Sequence, residues 1–152
     1  MEHYNYEQIC KYLYDLIPKE ERERLKDTIG EMCPNFLGFC DTYYHLSQII
    51  PKDWTIIDFG AANNPQSYFF TEHKKYIAVE PLGSCDEENG MFCPPNCEIY
   101  RMTTGEFLKN VDYPKEKVFA ICNYVPNWYR EDSKELVRKN FEYCYTFYPI
   151  GI

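Results

Sequence analysis

The sequence has no basic cluster, no long apolar run and no G-x-G-x-x-G turn, and each absence excludes a class of protein. Lys and Arg number 16 against 24 Asp and Glu, for a net charge of -8 at pH 7. A protein that tracks a phosphate backbone carries a basic stripe. The nearest stretch, "KEERER" at 19–24, alternates sign and reads as a solvated helix face. Non-specific nucleic-acid binding is therefore not expected, although a single flipped base or a small acceptor stays open. No apolar stretch approaches membrane-spanning length, and no N-terminal run has the form of a signal peptide. A cytoplasmic location without membrane association is the expectation. The sequence shows no internal repeat and no low-complexity tract. The missing glycine pattern counts against a dehydrogenase-type dinucleotide site.

What is present suits a globular core. Hydrophobic residues make up 45% of the chain and its 152 residues fit one domain, 1–152. The 15 tyrosines read as core and half-buried positions. Eight cysteines are not read as disulfides, because that inference needs a secretory context. Cys10, Cys122 and Cys144 have apolar neighbours and read as small core residues. Cys85, Cys93 and Cys97 are closely spaced, but a zinc set would be incomplete unless His73 or another cysteine joined. No metal is expected.

The periodicity changes near residue 51. Before it, Asn5 with Gln8 reads as the start of a helix whose apolar face is Ile9, Tyr12, Leu13, Leu16 and Ile17. Pro18 breaks that helix and can open a second, "KEERERLKDTIGEM". "DTYYHLSQII" reads as a third, with Asp41 as its cap. After residue 51, short apolar runs alternate with helical ones. "WTIIDF", "KYIAVEP", "CEIYRM", "KVFAICNYVP" and "YCYTFYPIGI" read as strands. "NPQSYFFTEH" reads as a helix capped by Asn64, "TGEFLKN" as one opened by Thr103 and Glu106, and "DSKELVRKNF" as one opened by Asp132 and Glu135. Strands alternating with helices predict an α/β fold with an open, mostly parallel sheet of about five strands and helices on both faces. The helical segment 1–50 is expected to pack on one side of the sheet or over its crevice, with the sheet core in 51–152.

In such a sheet, ligands bind beyond the C-terminal strand ends, where the strand order reverses. The first strand ends in Asp58 and Gly60. Gly60 allows a positive φ and close approach of a ligand. Ala61 and Ala62 are the next smallest side chains, and Asn63 or Asn64 can take the left-handed conformation. Pro65 would start the helix there, with its free N–H groups facing an anion. Glu80 ends the second strand, 22 residues after Asp58, where an acid would accept from both ribose hydroxyls. Thr103 follows the third strand and could border an adenine, although capping is its stronger reading. Asn123 ends the fourth, offering an amide beside the aromatic face of Tyr124. An ordinary strand-helix junction, a surface Glu80 and an Asn-initiated turn are the plainer alternatives.

Together "IIDFGAANNP", "YIAVEP" and "ICNYVPNW" resemble three motifs of the class I, Rossmann-like S-adenosylmethionine-dependent methyltransferases. The resemblance spans roughly 41–147. It implies Asp58 beside the methionine amino end, and Gly60, Ala61, Ala62 and Asn64 forming the cofactor turn. It implies Glu80 on the ribose and Thr103 or Met102 at the adenine. Asn123 and Tyr124 would face the methyl group and its acceptor. An uncharged nitrogen acceptor is the expectation, since no general base stands out. The turn departs from the family by lacking its second and third glycines, and an irregular stretch, 82–96, replaces the helix after the second strand. The family's closing hairpin is expected to be absent, truncating the sheet after its fifth strand. That would leave an edge for a protein partner or a second copy. The alternatives are thus a shortened, catalytically inactive module acting through a protein partner, or a different nucleotide-binding α/β enzyme.

Overall fold

The computed structural model describes residues 6–25, 40–81, 90–123 and 131–146. Three α-helices come first: α1 Tyr6–Leu16, α2 Lys19–Arg24 and α3 Cys40–Ile49. Then strand β1, Thr55–Phe59, leads through a tight turn into a 3-10 helix, Pro65–Phe70, and β2, Lys75–Val79. After β3, Cys97–Tyr100, come α4, Thr104–Asn110, and β4, Val118–Cys122. The last described elements are α5, Ser133–Asn140, and β5, Cys144–Thr146. The five strands form one open sheet of order β3-β2-β1-β4-β5, parallel throughout. The expected architecture and all five strands are present.

Side chains alternate across a strand, so the sheet separates two cores. Ile56, Tyr76, Ala78 and Ile121 face Ile9, Leu13, Tyr43 and Leu46 of α1 and α3. Ile57, Phe59, Ile77, Val79, Ala120 and Cys122 face Phe107 of α4 and Val137 of α5. Among the described residues, α1 and α3 therefore cover one face, which is one of the two placements expected for the helical segment. Asp58, one residue after Ile57, turns to the α3 face and is fully buried there.

Several local readings need correction. Tyr12 is 48% exposed, so the buried face of α1 is Ile9 and Leu13, continued by Ile17 just after the helix. Pro18 stands at the N-cap of α2 and so opens it as expected, but the described helix ends at Arg24. Asp41 lies in the first turn of α3 rather than before it. "NPQSYFFTEH" forms the short 3-10 helix instead of an α-helix, and all six of its residues are buried. A segment buried on every side has no polar face to favour regular α-helical exposure. Leu25 ends α2 as a buried residue, while Asn5, Ile29 and Met32 lie outside the described residues. No helix among the described residues is long and apolar enough to cross a membrane.

Candidate functional site

The strand order reverses between β1 and β4, where neighbouring strands send their connections in opposite directions. Phe59 pairs with Val79 on one side and Cys122 on the other. Gly60 and Asn123 are the next residues of their strands, so they stand at adjacent ends over the crevice. This is the position the sequence assigned to them.

The turn after β1 is set by backbone conformation. Gly60 has φ 80°, Ala62 φ 52° and Asn64 φ 70°. Three left-handed residues thus reverse the chain, and only one is glycine. Gly60 N–H and Ala61 N–H both donate to Val79 O, at 2.8 and 3.3 Å, which ties the turn to the end of β2. Ala62 N–H donates to Glu80 Oε1 at 2.9 Å. The anion at this turn is therefore Glu80 itself, held by a charge-assisted hydrogen bond. The expected role of a helix end fails on length, because a six-residue 3-10 helix carries little dipole. Glu80 remains in the sheet ladder through its N–H to Tyr100 O at 3.0 Å.

Asn64 has a different task from capping. Its side chain makes no cap hydrogen bond. Instead Nδ2 donates to Phe92 O at 2.9 Å and to Cys97 Sγ at 3.4 Å, while Phe92 N–H returns to Asn63 O at 2.9 Å. The turn is thereby stitched to the segment before β3. Asn64 Oδ1 is buried without a hydrogen-bond partner.

Beneath the turn lies a buried polar cluster that the sequence did not reveal. Tyr76 and Gln66 donate to Asp58 Oδ2 at 2.5 and 2.8 Å, and Tyr43 donates to Oδ1 at 3.4 Å. Gln66 also donates to Ala61 O at 2.9 Å, linking the carboxyl to the turn. Burial raises the Asp58 pKa to about 7, the charge of Glu80 adds to the rise, and the three donors oppose it. Burial, with the Asp58 charge, holds the Tyr43 and Tyr76 hydroxyls well above the usual phenol range, so both remain donors. The cluster braces β1, β2, α3 and the turn from inside. It places Asp58 under the turn rather than on its surface.

Asn123 is 3% exposed, and neither its Nδ2 nor its Oδ1 has a hydrogen-bond partner. Its amide lies near the Tyr43 hydroxyl and eases that group's ionisation, but the pair does not meet hydrogen-bond geometry. A buried side-chain amide with both ends unmet is costly and points to a ligand or water at the crevice. Thr103, by contrast, is fully used in capping. Its hydroxyl accepts from Glu106 N–H at 3.2 Å and donates to Glu106 Oε1 at 3.1 Å. Tyr124 lies outside the described residues. Among the described residues, no group of three or more His, Cys, Asp and Glu could hold a metal ion. His73 is buried, with Nε2 on Ile50 O at 3.0 Å.

The structure thus brings together Gly60, Ala61, Ala62, Asn64 and Glu80, with Asn123 at the adjacent strand end. Asp58 lies below them and Thr103 is committed elsewhere. Of the added residues, Tyr76 could have been found, since it pairs with Ile56 and so shares a sheet face with Asp58, two residues further along β1. Tyr43 carried no signal, because only the packing of α3 on the sheet puts it there.

No protein-family model matches the sequence, and no curated protein matches it. One solved structure is similar, from Anaeromyxobacter dehalogenans, described as a "Putative Type II Methyltransferase". It is 16% identical, with a TM-score of 0.49 over 66% of this chain and 42% of that one. The chain therefore spans about two fifths of that structure's length. A likeness of this degree decides neither fold nor function, and both rest on the residues above.

Proposed function

We propose that this protein binds S-adenosylmethionine at the β1–β4 crevice and methylates an uncharged nitrogen acceptor. The observation that carries the reading is the buried, unpartnered amide of Asn123 beside a turn already joined to Glu80. The residues suit such a ligand. Glu80 already accepts from Ala62 N–H at the turn, and a carboxylate is the acceptor type that vicinal ribose hydroxyls donate to. The small residues Gly60, Ala61 and Ala62 let a ligand approach the backbone. The net charge of -8 does not oppose a cationic sulfonium.

When bound, the cofactor supplies a methyl group activated on a sulfonium, so the protein's work is chiefly alignment. Asn123 Oδ1 accepts an N–H of the acceptor and fixes the direction of the nitrogen lone pair. The Asp58 cluster keeps the turn and α3 in place. No side chain has to remove a proton before an uncharged nitrogen attacks, and the proton is lost to solvent afterwards.

Titration calorimetry with S-adenosylmethionine and its demethylated product tests the reading. Micromolar binding is expected in wild type, weakened by about tenfold to a hundredfold in Glu80→Ala. Asn123→Ala should keep the cofactor and lose transfer of labelled methyl to cell extracts. Absence of binding at millimolar ligand would sink the proposal. A second reading, a domain that works through a protein partner, draws on the exposed apolar side chains of Tyr12, Tyr14, Ile49 and Tyr143. It gains only if that titration is blank and a defined complex is isolated.

A further inference from the structure

Cys93 and Cys97 have no role in the proposed chemistry, although Cys97 touches the turn through Asn64. They enclose Pro94, Pro95 and Asn96 just before β3. Two prolines fix φ at about -65° and limit the loop's alternatives. Cys97 N–H donates to Pro94 O at 3.0 Å and closes the turn. The Cys93 sulfur is thereby folded back to 3.7 Å from Cys97 O. Cys93 is exposed, whereas Cys97 is half-buried and anchored from inside by Asn64 Nδ2. One thiol faces solvent and the other lies behind it, in a loop that holds them close.

Charged groups of α2 lie beside the outer thiol. Arg24 of α2 is held by Glu21 at 2.6 Å and by Met91 O at 3.2 Å. Glu21 Oε1 also lies 3.4 Å from Cys93 N. The Cys97 thiol, acting as donor, lowers the Cys93 pKa to about 7. Arg24 helps, while burial and Glu21 oppose. The same thiol contact and burial push Cys97 upward, leaving it a thiol at neutral pH. An exposed thiolate backed by a protonated thiol is the arrangement that disulfide exchange uses.

We propose that Cys93 and Cys97 form a dithiol–disulfide pair, with Cys93 the attacking sulfur, Cys97 the resolving sulfur and small disulfides the reactants. With glutathione disulfide, the Cys93 thiolate attacks one sulfur. The glutathione S–S bond breaks, a mixed disulfide forms on Cys93, and one glutathione thiolate leaves. Cys97 gives its proton to solvent and attacks the Cys93 sulfur. The mixed disulfide breaks, the Cys93–Cys97 bond forms, and a second glutathione thiolate leaves. Two electrons pass from the protein sulfurs to the glutathione disulfide. Through Asn64 the pair abuts the turn after β1, so its oxidation state bears on that turn's anchoring.

The test treats the full chain with glutathione disulfide at pH 7, blocks remaining thiols with iodoacetamide and digests with chymotrypsin. Cleavage after Phe92 and Tyr100 releases residues 93–100, in which Cys93 and Cys97 are the cysteines present. The expected peptide carries an internal disulfide that dithiothreitol reverses. Cys97→Ser should stop at a glutathione adduct on Cys93, and in Cys97→Ala, which leaves no donor there, the Cys93 alkylation midpoint should rise from near pH 7 toward the ordinary thiol value of about 8.5. A wild-type peptide with both cysteines alkylated would overturn the proposal, as would Cys93 bridged to Cys85. The wild-type map requires no variant to fold.

Discussion

Ala62 holds a left-handed φ of 52° without the freedom of glycine. That conformation costs a residue with a Cβ about 1–2 kcal/mol. Its side chain is exposed, so Ala62→Gly should stabilise the fold by about 1 kcal/mol, less what glycine loses in unfolded-state entropy. A chemical denaturation midpoint measures it, and a lower midpoint would refute the strain. Asn64 is the opposite case, because its side chain has two partners. Asn64→Gly keeps the backbone conformation but removes them.

Asp58 makes a prediction about pH. Its folded pKa is about 7, above the ordinary carboxylate range that applies when unfolded. The folded state therefore holds the proton more tightly between those values. The stability from this group is fully present below about pH 4 and is lost as pH rises through 7. The span is up to about 4 kcal/mol for a shift of about three units. Asp58→Asn, which imitates the protonated form, should flatten stability between pH 5 and 8 relative to wild type. Thermal melts across that range test the sign, and a wild type that gains stability relative to the variant with rising pH would contradict it.

At the scale of elements, α4 and α5 share a carboxylate. Glu131, just before α5, accepts from Gly105 N–H at 3.2 Å, in the first turn of α4. A Cβ on Gly105 would come within 2.6 Å of Glu131 Oε2. Gly105→Ala gains helix propensity of about 1 kcal/mol. It displaces a charged acceptor from an N–H, a contact worth about 1.5–3 kcal/mol. The loss should win in wild type, for a net destabilisation of about 1 kcal/mol. In a Glu131→Ala background the same change should stabilise. A double-mutant cycle read by urea denaturation tests this reversal.

The strands were legible in the sequence because central parallel strands are continuous apolar runs between turn residues. The caps at Thr103 and Asp132 were legible because a cap is a local contact: Glu106 N–H reaches Thr103 Oγ1, and Glu135 N–H reaches Asp132 Oδ1. Asn64 misled because its partners, Phe92 and Cys97, are distant in sequence. Glu80 was legible as a strand-end residue, but its bond to Ala62 depends on two neighbouring strand ends meeting. Tyr43 and Gln66 escaped for the same reason. The site's acidic centre is tertiary, although its rim is local.

For the whole molecule, stability should be graded across the sheet. β1 is buried along its entire length and paired on both sides, whereas β3 and β5 are half-exposed. Amides of Ile56 to Phe59 should exchange with solvent only through global unfolding, and those of β5 through smaller openings. Native-state hydrogen exchange at graded denaturant measures this. Equal protection of β1 and β5 would mean that the edge is covered by something else.

The division of the sheet into two unlike cores gives Asp58 one more consequence. The α3 face offers its carboxyl three donors, while Ile57, Phe59, Ile77 and Val79 make the opposite face apolar. If β1 slid by one residue against its neighbours, every side chain would change face. The carboxyl would then lose its three donors and enter apolar packing, at a cost of several kcal/mol (about 2–7 for a polar group left unbonded). Asp58 is thus a proofreader of strand alignment: the one residue of β1 for which a misthreaded sheet has no place.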